Sequence, residues 1–271
     1  MARDVRFDYG GRVALVTGGA TSLGAAIAQA LHGAGAQVCI ADVDAASGQA
    51  LADSLNRARP RSAWFEATDV SDDASIARCI EALGSRHARL DVLVNNAVVY
   101  DDGGIGSARQ TWLKGLGVNL VGGAQVLAQA LELLAASPSP AVVNLSSVAG
   151  KFGQRGRAVY PACKAAILQL TRNQAVELAP RNIRVNAITP AWTWSAALAR
   201  QAAGSRERAD AIGARLHPLG RVGDLADVAD AVLFLCSDAA AFITGVDLPV
   251  DGGFSALGPD QGHPPAHWWS A

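Results

Sequence analysis

The sequence lacks any run of about 18 or more uninterrupted apolar residues, so no membrane-spanning helix is expected. Its opening, "MARDVRFDYGG", lacks the apolar core of a signal peptide. No long basic run occurs, and 23 basic residues face 24 acidic ones, for a formal net charge of −1. Nucleic acid and anionic membranes are therefore not expected as main partners. Lysine is scarce: Lys114, Lys151 and Lys164 are the only three. Cysteine is scarce too. Cys39, Cys79, Cys163 and Cys236 form no C-x-x-C pair, which argues against a disulfide frame or a zinc site. They read as buried thiols in a reducing cytoplasm.

What is present is apolar and alternating. Half of the 271 residues are apolar and 17% are charged, enough for a sizeable core. Short apolar runs begin at Arg12, Ala36, Ser62, Leu90, Ala141, Ile183 and Asp247. Most are too apolar for a one-sided sheet, so a parallel sheet covered on both faces is predicted. Between them lie helical patterns at Ser22–Ala34, Ala45–Arg57, Asp72–Leu83, Thr111–Leu134, Tyr160–Leu178 and Asp224–Cys236. Strand and helix in this alternation predict an α/β doubly wound fold. No composition break divides residues 1–271, so a single domain is expected, with an irregular extension over 258–271.

The first strand runs into "TGGATSLG", Thr17 to Gly24. Glycine-rich turns occur for geometric reasons alone. Here Gly18 and Gly24 flank a strand-to-helix turn, where a helix N-terminus can receive a pyrophosphate. Asp42 follows the second strand, near the offset at which a carboxylate grips a ribose 2′-hydroxyl. A bare strand-end aspartate would be a cap or a solvated group. Loop and carboxylate together point to a dinucleotide site.

"YPACK" places Tyr160 and Lys164 four residues apart, on one face of a helix start. Three tyrosines and three lysines scattered at random give only roughly 0.03 such pairs. An ammonium near a phenol is expected to lower the phenol's pKa. Ser147, in "NLSSVAG", lies 13 residues before Tyr160, just past an apolar strand. Its hydroxyl can polarise a carbonyl there, whereas a lone serine in a turn would bond local backbone.

These residues resemble the short-chain dehydrogenase/reductase family, in its single-domain branch. The resemblance runs from about Gly11 to Phe254. It rests on "TGGATSLG", "ADVD", "TDV", "NNA", "VNL", "VNLSSVAG", "YPACK", "RVNAITPA" and "ITGVDLPVDGG", in the family's order and spacing. It implies a Rossmann-type parallel sheet of about seven strands with helices on both faces. It implies a catalytic tetrad of Asn119, Ser147, Tyr160 and Lys164. It implies cofactor contacts from Gly18, Thr21, Ser22, Leu23, Gly24, Asp42, Asp69, Val70, Asn95, Asn96, Ala97, Tyr160, Lys164, Pro190, Trp192 and Thr193. Three family glycines are replaced, by Ser22, Val98 and Ala191. Serine at 22 is strained if its φ is positive; at negative φ its hydroxyl can bond a ribose or phosphate oxygen.

The implied reaction is hydride transfer between NAD and a secondary alcohol or its ketone. Asp42 repels a 2′-phosphate and no arginine follows it in "ADVDAAS", so NAD is expected over NADP. The expected substrate pocket is Val98, Val99, Tyr100, Ala149, Phe152, Gln154, Trp192 and Trp194, which suits a cyclic or aromatic-bearing alcohol better than a small polyol. A nucleotide-sensing regulator on the same scaffold would be expected to lose Tyr160 or Lys164, and both are present. A 3-oxoacyl reductase would want a basic rim, which Lys151 and Arg155 can supply. Enoyl reductases of the family space the Tyr and Lys more widely. "HPPAH" is not expected to put His263 and His267 on one helical face, so no metal is expected. The family commonly pairs the helices at Thr111–Leu134 and Tyr160–Leu178, implying a homodimer or tetramer. The exposed pair Trp268 and Trp269 suggests a tail that docks on protein.

Overall fold

A computed structural model describes residues 5–269. Seven strands form one wholly parallel sheet: β1 (Val13–Thr17), β2 (Gln37–Asp42), β3 (Ala63–Ala67), β4 (Val92–Asn95), β5 (Ala141–Leu145), β6 (Arg184–Pro190) and β7 (Asp247–Val250). Their order is β3-β2-β1-β4-β5-β6-β7. β1 pairs with both β2 and β4, so the chain reverses its direction of winding there. A crevice opens at such a switch point, beyond the carboxyl ends of the strands. All seven expected strands are present. β1, β5 and β6 are buried along their whole length, which is why their sequences run apolar rather than alternating.

Helices cover both faces. On one side lie α1 (Ser22–Gly33) and α2 (Ala45–Ala58), together with α9 (Leu225–Cys236); Ile27, Leu31, Leu51, Val228 and Val232 fill that layer. On the other lie α3 (Asp73–Arg86), α5 (Gly123–Ala135) and α6 (Val159–Leu178), which contribute Ile76, Leu83, Leu127, Leu134 and Leu178. α4 (Arg109–Leu116) joins α5 through a π-helical stretch, Gly117–Gly122, so the pattern expected over Thr111–Leu134 is one helix with an irregular turn inside it. The run Arg109–Ala135 is long and apolar enough to cross a membrane by length and composition alone. It is a core helix: it packs on β4, α3 and α6.

Three short helices were not expected from the sequence. α7 (Ala196–Gln201) and α8 (Arg206–Gly213) begin at Ser195 and Ser205, whose hydroxyls accept from Leu198 N and Arg208 N. α10 (Pro265–Trp269) corrects the expectation that 258–271 is irregular throughout. Pro265 opens it, where a missing N–H does no harm. His263 lies before α10 and His267 within it, so the two do not share a helical face, although their rings stack at 3.8 Å. Among the described residues, no three His, Cys, Asp or Glu side chains gather as a metal site. Trp268 shares the wall of an open cavity with residues of the segment 212–218, while Trp269 is 89% exposed. All four cysteines are buried free thiols.

Candidate active site

Thr17 ends β1 and starts the glycine loop. Its Oγ1 accepts from Asn96 N at 3.0 Å and Ala97 N at 3.3 Å. The Asn96 amide returns two bonds, to Thr17 O and Gly18 O. Gly18 has φ +60, and a Cβ there would fall 2.7 Å from Ala97 Cα, so only glycine fits. Ser22 has φ +49, which settles the question left open by its sequence: the serine sits in the left-handed region. Asp42 holds the loop from the β2 side, accepting from Ala20 N and Asp44 N at 3.0 Å each.

The first turn of α1 offers an anion site. Its N-cap, Thr21, makes no side-chain cap bond, and no acid lies in its first turn. By contrast, α2 and α3 are capped by Asp44 and Asp72. Uncapped N–H groups at the positive end of a helix favour a phosphate. The adjoining cleft has a volume of about 810 Å³, within the usual range for small-molecule sites. Asp42 and Asp69, after β2 and β3, line it, as do Ser147, Tyr160 and Lys164, which follow β5 on the other side of β1 in the sheet. The residues present therefore fit a dinucleotide.

Ser147 follows β5 and opens a short turn, accepting from Ala149 N. Tyr160 lies in the first turn of α6. Burial pushes its phenol well above the ordinary value and Tyr100 adds to this, while the Ser147 hydroxyl and Arg157 act oppositely. The expectation that Lys164 lowers this pKa is not met in the free chain. The Lys164 ammonium donates to Leu145 O at 2.6 Å and stands over the Tyr160 ring, 5.6 Å from its centroid. Lys164 is 3% exposed, and burial lowers its own pKa to about 8, against a smaller opposing effect of Cys163.

Asn119 sits in the π-helical stretch, buried. Its amide locks onto Val99, accepting from the backbone N at 2.7 Å and donating to the O at 2.9 Å. It lines not the cleft but a small internal space of about 20 Å³, shared with Thr17, Asn95, Asn144 and Lys164. Asn95 Oδ1 is buried there without a partner. A space of this size with several polar walls suits one water.

Of the expected cofactor contacts, Gly18, Thr21, Ser22, Leu23, Gly24, Asp42, Asp69, Val70, Asn96, Ala97, Pro190 and Thr193 line the cleft, and Asn95 borders the internal space. Trp192 does not line it. The chain after β6 is extended, so Ala191, Thr193 and Ser195 face the cleft. Trp192 and Trp194 turn the other way and pack against Ala202, Ala209 and Val222. Of the expected substrate wall, Val98, Val99 and Tyr100 line the cleft. Ala149 is buried behind it, Phe152 packs edge-on against Phe254, and Gln154 faces solvent. Lys151 is no basic rim: its ammonium pairs with Asp247 at 2.8 Å, both largely buried. The sequence reading passed over Lys114, Ala197 and Arg200, which also line the cleft. Nothing in their local pattern marks them; α7 carries two of them there.

Residues 18–255 match the protein family described as Enoyl-(Acyl carrier protein) reductase. The chain is 38% identical, over 91% of its length and 97% of the relative's, to cis-4-hydroxycyclohexanecarboxylate dehydrogenase of Sinomonas cyclohexanicum. It is 35% identical to the trans-4-hydroxycyclohexanecarboxylate dehydrogenase of the same organism, over 90% and 93%. Among solved structures, a short-chain dehydrogenase/reductase (glucose/ribitol dehydrogenase) from Brucella melitensis superposes with a TM-score of 0.82. That match is at 29% identity, over 92% of this chain and 99% of the other.

Proposed function

The chain belongs to the short-chain dehydrogenase/reductase family, and from that premise we propose an NAD-dependent dehydrogenase of a cyclic secondary alcohol. One observation carries the reading: Ser147, Tyr160 and Lys164 share a cleft with Asp42. The relatives named for ring-borne hydroxyl groups support a cyclic substrate. So does the apolar wall of Val98, Val99 and the Tyr100 ring.

The glycine loop and the α1 N-terminus hold the diphosphate, and Asp42 takes the adenosine ribose. The next side chain, Val43, is exposed and apolar, so no cation is offered to a 2′-phosphate there. When bound, NAD supplies the hydride acceptor. Tyr160 takes the proton from the alcohol oxygen, and Ser147 donates a hydrogen bond to that oxygen. Lys164 holds its ammonium over the Tyr160 ring, and Arg157 also favours the phenolate that results. Asn119 keeps the Val99 segment and the irregular helix in register, beside the polar space that links it to Lys164. With the phenol pushed up by burial, the base form gains as pH rises, so oxidation is favoured at alkaline pH.

A 3-oxoacyl reductase on an acyl carrier is the weaker reading, because Lys151 is committed to Asp247. The protein acts as a homodimer or tetramer through the Arg109–Ala135 and Val159–Leu178 helices. Leu113, Val121 and Val176 are exposed apolar side chains on them. Buried free thiols suit a reducing cytoplasm. The test is a panel of cyclic and acyclic secondary alcohols, each with NAD and with NADP, followed by nicotinamide absorbance. Turnover of cyclic alcohols with NAD is expected. Turnover confined to NADP, or to acyl thioesters, would overturn the reading.

A further inference from the structure

α6 carries Tyr160 in its first turn, yet its own N-cap residue is Ala158, which has no side chain to cap with. Orphan N–H groups there need a partner. The partner is Asp102, from the loop after β4, 56 and 58 residues away in sequence. Its carboxylate accepts from Ala158 N at 2.9 and 3.0 Å and from Tyr160 N at 3.0 Å. It also accepts from Gly104 N at 2.9 Å, which fixes its own loop. Burial works against the Asp102 charge, but the N–H groups of Ala158, Tyr160, Gly104 and Val159 outweigh it and hold its pKa below the ordinary value.

The same loop meets the approach to α6 a second time. Gly104, at φ +63, lies so close to Gly156 that a Cβ would stand 3.1 Å from its backbone. Two residues before Asp102, the Tyr100 ring lies 5.2 Å from the Tyr160 ring. One carboxylate thus ties the helix start that carries Tyr160 to the loop that carries Tyr100. Asp44 and Asp72 cap only the helices that follow them directly. Asp102 bridges two segments that both face the cleft.

We propose that Asp102 is a positioning residue, which sets the Tyr160 hydroxyl against the substrate oxygen and holds Tyr100 as the facing wall. This rests on the dehydrogenase reading above. Displacing a reacting group by about 1 Å can slow a reaction by about 100-fold. Asp102→Ala is therefore expected to lower kcat by about 10- to 100-fold and to raise KM for the alcohol. NAD affinity, by calorimetry, should stay within about threefold, because the glycine loop is remote from this tie. Asp102→Asn keeps an acceptor oxygen and should recover part of kcat. Asp72→Ala, the loss of a plain cap, should lower stability and leave kcat alone.

The activity-independent readout is hydrogen exchange of the Ala158 and Tyr160 amides. It should quicken at least about tenfold in Asp102→Ala, with β5 unaffected. If Asp102→Ala keeps kcat within twofold and only loses stability, as Asp72→Ala does, Asp102 is a plain cap and the proposal falls. It falls equally if NAD affinity collapses together with kcat. Should the wild type oxidise no alcohol, the dehydrogenase reading fails by itself. Exchange then decides the tie: unchanged protection overturns it, and loss confined to these amides upholds it.

Discussion

The ring of Tyr100 lies 5.2 Å from the ring of Tyr160, tilted by 37°. Tyr100 is one of the influences that push the Tyr160 phenol up. Tyr100→Phe keeps the ring and removes the hydroxyl. The acid limb of the kcat/KM profile for oxidation should then move to lower pH, with a change in the plateau of less than about tenfold. An upward shift would mean that Tyr100 assists ionisation rather than opposing it. Tyr160→Phe, in contrast, removes the proton acceptor. Turnover should vanish while calorimetric NAD affinity is largely kept, and near-normal activity would show that the base is another group.

Asp42 has two duties, and two substitutions separate them. It accepts from Ala20 N and Asp44 N as well as facing the cleft. Asp42→Ala loses both duties, and the KM for NAD should rise by about 10- to 100-fold, the worth of a charged hydrogen bond. Asp42→Asn keeps an acceptor for the loop and removes the charge. It should lose less with NAD and gain with NADP, narrowing the preference. Steady-state kinetics with both cofactors checks this. A wild type that uses NADP as well as NAD contradicts the role given to Asp42.

How far the sequence foretold this arrangement depends on how local each signal is. Strands such as "AVVNL" are legible because a buried parallel strand must be apolar on both faces. The glycine loop is legible because Gly18 must take positive φ and has no room for a Cβ. Trp192 and Trp194 mislead because aromatic residues near a cleft suggest its lining. A period of two in extended chain instead sends them into a small apolar cluster, and Thr193 into the cleft. The Tyr160–Lys164 spacing is legible, but not where the ammonium points, since Leu145 O competes for it. Asp102 is illegible locally. Its bonds to Ala158 and Tyr160 reach more than 50 residues along the chain, and "DDGG" reads as an ordinary turn.

Ser22 pairs a left-handed backbone with a position on the cleft wall. A non-glycine residue at positive φ is strained by about 1–2 kcal/mol, while glycine adds unfolded-state entropy of about 0.5–1 kcal/mol. The two nearly cancel. Ser22→Gly should leave stability within about 1 kcal/mol and NAD affinity within a few-fold, because backbone N–H groups do most of the phosphate binding. Ser22→Val, β-branched, should cost about 1–3 kcal/mol. Chemical denaturation and calorimetry test both. A large loss of NAD affinity in Ser22→Gly would make the hydroxyl a true ligand.

Lys164 places a cation where the fold resists one. It is 3% exposed, it donates a hydrogen bond to Leu145 O, and burial lowers its pKa from 10.5 to about 8. A base with a depressed folded pKa binds more protons unfolded than folded between those two values. Stability therefore rises with pH from about 8 towards 10.5, as the burial of charge is relieved. Lys164→Met fills similar space and has no such dependence. Subtracting the variant's unfolding free energy from the wild type's cancels every other titrating group. That difference should climb by about 2 kcal/mol between pH 7 and pH 10. The variant should also lose turnover at every pH, since it removes the ammonium that stands over the Tyr160 ring. Urea unfolding at both pH values measures the difference. A flat difference would mean that Lys164 titrates as an ordinary lysine, and a falling one that its charge is stabilised by a partner in the folded chain.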